Sequence, residues 1–195
     1  MTIVLKGERS WTADEFLATD QHDFGDDWRY ELIDGRIVGH SAPMPEHGAI
    51  LAGLTTVLGS RLAGMPGGCR PESGSGATPR TKQRNTARIP DLLIRCGEHP
   101  RVAFEVVSQS EIRDWRGRDL KRQHLQAVEG MQEIVELFQD DHAVHVYRLA
   151  ADGAWTFEAA GGPDAVLRLD SIGISVTLRE IYVFAEIGEE KTDER

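Results

Sequence analysis

Hydrophobic positions recur at two spacings along the chain, and each spacing predicts a different element. Residues 46–63 place Ile50, Leu51, Leu54, Val57, Leu58 and Leu62 on one face at a helical period, so an amphipathic helix is expected, weakened by Gly48, Gly53 and Gly59. YELIDGRIVGH is instead read as a hairpin, with Asp34-Gly35 supplying the positive φ angles of a type I′ turn. Residues 88–96 and 101–108 are apolar runs with the look of two core strands, separated by a turn at Gly97 to Pro100. IVELFQDDHAVHVYRL and WTFEAA predict an antiparallel run, bending at Asp140-Asp141 and Asp152-Gly153. A polar segment from about 111 to 128 is compatible with a helix.

Capping boxes mark two shorter helices, since Thr12 pairs with Glu15 and Thr177 with Glu180 at the spacing that satisfies a helix N-terminus. The first helix is expected from residue 13 and the second at LREIYVF. Residues 64–87 are rich in Gly, Pro, Ser, Thr and basic side chains and predict a long loop with room for one edge strand. An α/β domain follows, with a central mixed β-sheet of about six strands flanked by helices.

With 195 residues and 40% hydrophobic content the chain has material for one ordinary core. A single domain is therefore expected over 1–187, followed by an acidic solvated tail, GEEKTDER, over 188–195. No apolar run approaches the roughly 18–20 residues that span a bilayer, and MTIVLKGERSW lacks the long apolar segment of a signal peptide. No membrane association and a cytoplasmic location are expected. Cys69 and Cys96 form no CxxC pair and have no histidine at ligand spacing, so two reduced thiols are expected rather than a zinc site or a disulfide scaffold.

Charge narrows the picture. A formal net charge of −10 argues against nonspecific nucleic-acid binding, which depends on Lys and Arg displacing counterions. The distribution is uneven, however: residues 70–88 sum to +4 and residues 113–122 to +3, leaving the rest at −17. Basic charge therefore flanks the two apolar runs at 88–108. Charge alone favours reading both segments as solvated loops.

Those runs hold an anomaly, because RIPDLLIRCGEHPRVAFEVVS carries Asp91 at the mouth of one strand and Glu105 inside the other. A carboxylate among aliphatic neighbours is desolvated and stays charged only if a cation or strong hydrogen bonds compensate it. Thirteen residues lie between the two, enough for a strand, a turn and a returning strand. Pairing of those strands brings the carboxylates together at one sheet end, where a hard divalent cation such as Mg²⁺ would relieve their repulsion. Metal-assisted phosphodiester hydrolysis uses such a site, together with a cation that orients water and offsets phosphate charge. Asp114, Arg118, Lys121 and Leu125 share a helical stripe that ends on an apolar residue, which makes Lys121 the candidate cation. Plainer readings stand beside these: Asp91 as a turn residue, Glu105 paired with Arg88 or Arg101, and Lys121 as a solvated helix residue.

The order IPD, FEVVS, helical lysine resembles the PD-(D/E)XK nuclease superfamily, and more closely the bacterial Uma-two family of restriction-endonuclease-like proteins. The resemblance extends to YELIDGRIV, APMPEHGAIL and RDWRGRDLKRQHLQAVEGMQEIVELFQDD. It implies a restriction-endonuclease-like fold with Asp91 and Glu105 as metal carboxylates and the Val106 carbonyl as a further ligand. In the common form the lysine would fall at Val107, whereas in the Uma-like variant it moves to the next helix, where Lys121 stands. Glu31 and His47 match family positions near the pocket. Ser108-Gln109-Ser110 replaces the family's serine-proline-serine turn, and Leu125 stands where an aromatic residue is common.

The resemblance thus implies a Mg²⁺-dependent endonuclease, with Mn²⁺ as a possible substitute, acting on nucleic acid, DNA foremost, and leaving 5′-phosphate and 3′-hydroxyl ends. The 70–88 segment is expected to meet the nucleic-acid backbone, and a homodimer suits double-strand cutting. The alternative is a non-catalytic binding or assembly protein of the same fold. His124, His142 and His145 are read as surface or strand residues.

Overall fold

The computed structural model describes residues 2–4, 9–25, 28–41, 44–79 and 85–187. The tail at 188–195 and the basic residues Arg80, Lys82 and Arg84 lie outside the described residues.

A three-stranded sheet and two helices make up the N-terminal part. Strand β1 (Thr2–Val4) precedes helix α1 (Ala13–Ala18), which opens at the expected Thr12–Glu15 capping box. Strands β2 (Trp28–Ile33) and β3 (Arg36–Ser41) form the expected hairpin, with Asp34 at φ 49° and Gly35 at φ 77°, and β1 adds to the far side of β3. Helix α2 (Pro45–Leu62) then begins with proline at its first position, where the missing N–H costs nothing. Its face Ile50, Leu54, Leu58 and Leu62 is buried as the periodicity requires. Gly53 lets α2 approach closely: a Cβ there would stand 2.0 Å from the Ile181 carbonyl oxygen.

The central sheet follows as β4 (Cys69–Glu72), β5 (Leu92–Cys96), β6 (His99–Val107), then helices α3 (Gln109–Arg113) and α4 (Trp115–Gln126), then β7 (Glu133–Phe138), β8 (Ala143–Leu149) and β9 (Trp155–Gly161). These six strands pair in sequence order; β6 and β7 run parallel and the other pairs antiparallel, so the expected mixed sheet is found. A parallel step needs a crossover, which α3 and α4 supply. Leu125 of α4 packs with Leu93, Ala103 and Ile134 on one sheet face, while α2 covers Leu92, Phe104, Val106 and Val135 on the other. The chain closes with a hairpin of β10 (Val166–Leu169) and β11 (Ile174–Thr177) and with α5 (Leu178–Ile181), opened by the Thr177–Glu180 capping box. No helix among the described residues is long and apolar enough to cross a membrane.

Three expectations are corrected. Residues 111–128 form two helices rather than one, because Asp114 caps α4 by accepting from Gly117 N at 3.2 Å; it belongs to the cap and not to an inward stripe. Cys69 and Cys96 face each other in the antiparallel β4–β5 register with Cα atoms 4.0 Å apart and form a disulfide rather than two free thiols. Spacing in sequence could not show a pairing that register creates. Finally, residues 88–91 stand outside β5: Ala87 exchanges backbone hydrogen bonds with Leu32, and Arg88 with Ala77, so this stretch runs between β2 and the 64–87 segment.

Candidate active site

Asp91 sits immediately before β5, where the ladder with β6 has ended at Leu92–Phe104. Its side chain continues the pairing that the backbone cannot, since Val106 N donates to Asp91 Oδ2 at 2.8 Å. Arg29 Nη1 from β2 donates to Oδ1 at 2.5 Å. His47, in the first turn of α2, brings Nε2 to 3.2 Å from Oδ2, poorly aligned for a hydrogen bond. Glu105 projects from β6 toward α4, and Lys121 Nζ donates to its Oε2 at 2.8 Å. Glu105 Oε1 is buried and has no hydrogen-bond partner among the described residues.

Lys121 is shared. Its Nζ lies 3.2 Å from Glu31 Oε1 and 3.5 Å from the Ile89 carbonyl oxygen. Glu31, on β2, also accepts from Ile89 N at 2.9 Å and from Arg88 Nη1 at 2.8 Å, with His40 Nε2 3.3 Å away. Arg88 Nε in turn donates to His124 Nδ1 at 3.0 Å. Three carboxylates, Glu31, Asp91 and Glu105, thus meet three cations, Arg29, Arg88 and Lys121, around one end of the sheet.

Compensation is unequal. Burial raises the pKa of Glu31, but Lys121, His40 and Arg88 outweigh it and hold the carboxyl well below the ordinary range. Burial opposes ionisation of Asp91 too, and His47, Lys121 and Arg29 overcome it, so Asp91 remains a carboxylate. Glu105 is different: burial, with the charges of Asp91 and Glu31, pushes it up to about 8 against the opposing pull of Lys121. Lys121 is raised above the ordinary lysine value, because Glu105, Glu31 and Asp91 outweigh its burial, and it stays cationic. The under-compensated group is Glu105.

The structure brings together Asp91, Glu105, Lys121, Glu31 and His47, all five side chains singled out from the sequence, and Val106 enters through its N–H. Glu105 pairs with neither Arg88 nor Arg101, and Lys121 is not a solvated residue. Of the basic 70–88 segment, Arg88 is corrected, being buried in the site, whereas Arg70 pairs with Glu72 at 2.8 Å and stays largely exposed. His124 is corrected as well, being half-buried against Arg88. Sequence reasoning missed Arg29 and His40 and gave Arg88 the wrong carboxylate: Arg29 and Arg88 lie 62 and 57 residues from Asp91 and Glu31, while His40 meets Glu31 across the β2–β3 hairpin. It also passed over Glu136 on β7, buried and in register with Glu105, although a glutamate inside IVELF is the same signal that exposed Glu105.

A divalent cation can be tested against these residues. Among the described residues no group of three His, Cys, Asp or Glu side chains is already arranged to hold one. Glu105 Oε1 nevertheless points an unpartnered acceptor into the site, and the arginine on Asp91 Oδ1 is 43% exposed and can swing aside. The residues therefore fit a hard, oxygen-preferring cation once Arg29 yields. The cluster opens into a cavity of about 330 Å³ lined also by Arg118, Leu120, Ser108 and Met44.

Similarity to known proteins gives the family and the fold. The model of the Uma2 family, described as "Putative restriction endonuclease", matches residues 13–179. A crystal structure of a "putative nuclease belonging to DUF820" from Anabaena variabilis superposes with a TM-score of 0.66 at 20% identity, over 89% of this chain and 98% of that one, a likeness of fold. No curated protein matches the chain. The family match runs from α1 through the β2–β3 hairpin, α2, the six-stranded sheet and the crossover helices into α5, and on that extent the chain belongs to the Uma2 family.

Proposed function

We propose that the protein is a Mg²⁺-dependent endonuclease that hydrolyses phosphodiester bonds of nucleic acid, DNA foremost, with Mn²⁺ able to substitute. One observation carries the reading: a buried glutamate with an unpartnered oxygen, next to a second carboxylate and fixed by a lysine, at the end of a cavity. Asp91 and Glu105 would hold the cation, with the Val106 carbonyl as a further ligand. The bound cation would polarise a phosphoryl oxygen and make water a better nucleophile. Lys121 keeps its proton, so it serves as a fixed donor that orients the attacking water and balances phosphate charge, not as a base. Glu31 holds Lys121 at this position and is itself anchored by Arg88 and Ile89 N. His47 backs Asp91 from the α2 side. The products would be 5′-phosphate and 3′-hydroxyl ends, and a homodimer would suit cutting of two strands.

The second reading is a non-catalytic protein of the same fold, favoured by Arg29 standing where a cation would bind Asp91. Mn²⁺ titration followed by electron paramagnetic resonance separates the two, with Asp91→Ala as control. Saturable binding lost in the control, and cleavage of DNA lost with it, is the expected result. An absence of both binding and cleavage at millimolar metal, with nucleic acid present, selects the second reading.

A further inference from the structure

The floor of the cavity holds polar atoms that phosphodiester hydrolysis does not use. Glu136 stands in register beside Glu105 on the neighbouring parallel strand, so the two side chains leave the same sheet face. Its side chain is 2% exposed and its Oε2 has no hydrogen-bond partner among the described residues. Arg118 of α4 brings Nε to 3.7 Å from that oxygen, and His145, directly across from Glu136 on β8, brings Nδ1 to 3.7 Å. Arg118 Nη1 and His145 Nδ1 are themselves buried and, among the described residues, unpartnered. Separations of this length are not hydrogen bonds. Charge attraction alone holds these groups, and leaving an acceptor and a donor buried in one place without a hydrogen bond is costly, which marks a place built for a visiting polar group. Glu136 and Arg118 both line the cavity that Glu105 and Lys121 line.

Aromatic rings continue from this point across the sheet. Phe138 meets His145 edge-on at 4.7 Å, His145 meets Phe157 at 5.0 Å, and Phe157 lies 5.2 Å from Tyr147. Arg118 stands over Phe138 at 5.9 Å and Arg122 over Tyr147 at 4.4 Å. Phe157, on edge strand β9, is 57% exposed. Rings interleaved with guanidinium groups are what successive unpaired bases stack upon.

We propose that Glu136 and Arg118 form a subsite that reads the edge of one unpaired nucleobase beside the catalytic carboxylates, with neighbouring bases stacked along Phe138, Tyr147 and Phe157. The inference rests on the nuclease reading and specifies its substrate as single-stranded at the site. The Watson–Crick edge of every base sets a hydrogen-bond donor beside an acceptor, in an order that differs between bases; Glu136 accepts from the donor and Arg118 donates to the acceptor. A phosphate would be repelled by Glu136, and a metal ion by Arg118. A duplex is disfavoured because its Watson–Crick edges are paired and a base must first be unstacked and extruded into the cavity of about 330 Å³, a cost a single strand largely escapes. The net charge of −10 fits this mode, because affinity then comes from stacking and hydrogen bonds rather than from counterion release.

The test uses the full chain in EDTA, so that binding is read without cleavage. Fluorescence anisotropy would compare hexanucleotide single strands of A, C or T, an alternating GT strand, and a duplex. The parent should bind single strands more tightly than the duplex and rank the sequences by at least about fivefold, in line with about 1–3 kcal/mol for a base contact. Glu136→Gln, which exchanges an acceptor for a group that also donates, should change that ranking. Phe157→Ala, at an exposed position that does not threaten the fold, should weaken all single strands by about tenfold and keep the ranking. A parent that does not discriminate, or a Glu136→Gln protein with the parent's ranking, overturns the base-reading subsite while the nuclease reading stands. A parent that binds no nucleic acid in EDTA likewise overturns the subsite, and the nuclease reading falls only if binding and cleavage are also absent at millimolar Mn²⁺.

Discussion

Replacing Glu105 with glutamine should stabilise the metal-free protein, against the usual expectation for a change inside a buried network. Glu105 is raised from an ordinary 4.5 to about 8 by burial and by the charges of Asp91 and Glu31. The folded protein therefore keeps a proton on Glu105 between these values while the unfolded chain has released it. Stability must fall as pH rises wherever the folded state binds more protons. Below about pH 4.5 Glu105 is neutral in both states and contributes no difference. Above about pH 8 the whole penalty is present, and at about 1.4 kcal/mol per pH unit it reaches about 5 kcal/mol as an upper bound. Glutamine keeps the shape and an acceptor for Lys121 without the charge. Asp91 and Glu31, both lowered, contribute the opposite dependence, with stability lost as pH falls through the acid range. That dependence is common to parent and variant and cancels in the difference.

Urea unfolding of parent and Glu105→Gln in EDTA, from about pH 5 to about pH 9, reads this directly. The two curves should nearly coincide at the acid end and separate steadily in favour of the variant, by several kcal/mol at the alkaline end or on the order of 10 °C in Tm for a chain of this size. Mg²⁺ should then raise the stability of the parent and leave the variant unchanged, because a ligand stabilises only the state that binds it. A variant less stable than the parent at the alkaline end, or a difference independent of pH, would refute the view that Glu105 is the under-compensated carboxylate.

Other outcomes follow from the same structure. Lys121→Met keeps the aliphatic stem but leaves Glu31 and Glu105 facing each other without their shared cation, so DNA cleavage should fall by at least about 100-fold and stability at about pH 9 by about 3–5 kcal/mol, read by single-turnover kinetics and urea unfolding. Arg29→Gln removes the cation that occupies Asp91 Oδ1 and should tighten Mn²⁺ binding by up to about fivefold, the worth of a half-exposed ion pair; weaker binding would mean that Arg29 helps to build the metal site. Thiol titration should find no reactive cysteine before reduction and two after it, and Cys69→Ser with Cys96→Ser should cost about 3 kcal/mol for a cross-link between residues 27 apart. Gly53→Ala should cost about 1–3 kcal/mol in thermal unfolding, since its methyl group meets a backbone carbonyl of α5 that cannot turn away.

Local chemistry makes much of the fold legible in the sequence. Asp34-Gly35 can turn a hairpin with both φ angles positive, and Thr12–Glu15 and Thr177–Glu180 can close helix N-termini, whatever surrounds them. Elements that depend on distant partners stay hidden. Cys69 meets Cys96 only through the β4–β5 register, and β10 and β11 are four-residue strands whose apolar side chains make sense only against the α2 face of the sheet. The α3–α4 break is hidden for another reason: Asp114 suits a helical stripe and a helix cap equally well, and only Gly117, which leaves room for the capping carboxylate, decides between them.

The site divides along the same line. Asp91 and Glu105 are legible because a carboxylate in an apolar run is a desolvation cost with no local remedy, which forces the question of what compensates it. Of the remedies only Lys121 is legible, through its helical stripe, since Arg29 lies 62 residues from Asp91 and Arg88 lies 57 residues from Glu31. A local pattern therefore marks where charge is costly, and the tertiary fold decides which cost is met. Glu31 and Asp91 are met in full by neighbouring cations, whereas Glu105 and Glu136 each keep a buried oxygen without a hydrogen-bond partner among the described residues. Glu133, which opens β7 and is as deeply buried as Glu136, is the control: Arg148, Ser171 and the Asp170 backbone N–H satisfy both oxygens of its carboxylate. Burial on this sheet does not by itself leave a glutamate unsatisfied. Two glutamates in register on adjacent strands, both left unsatisfied at the cavity, are therefore a selective feature of this sheet end, and they direct the search for what binds there to the space between β6, β7 and α4.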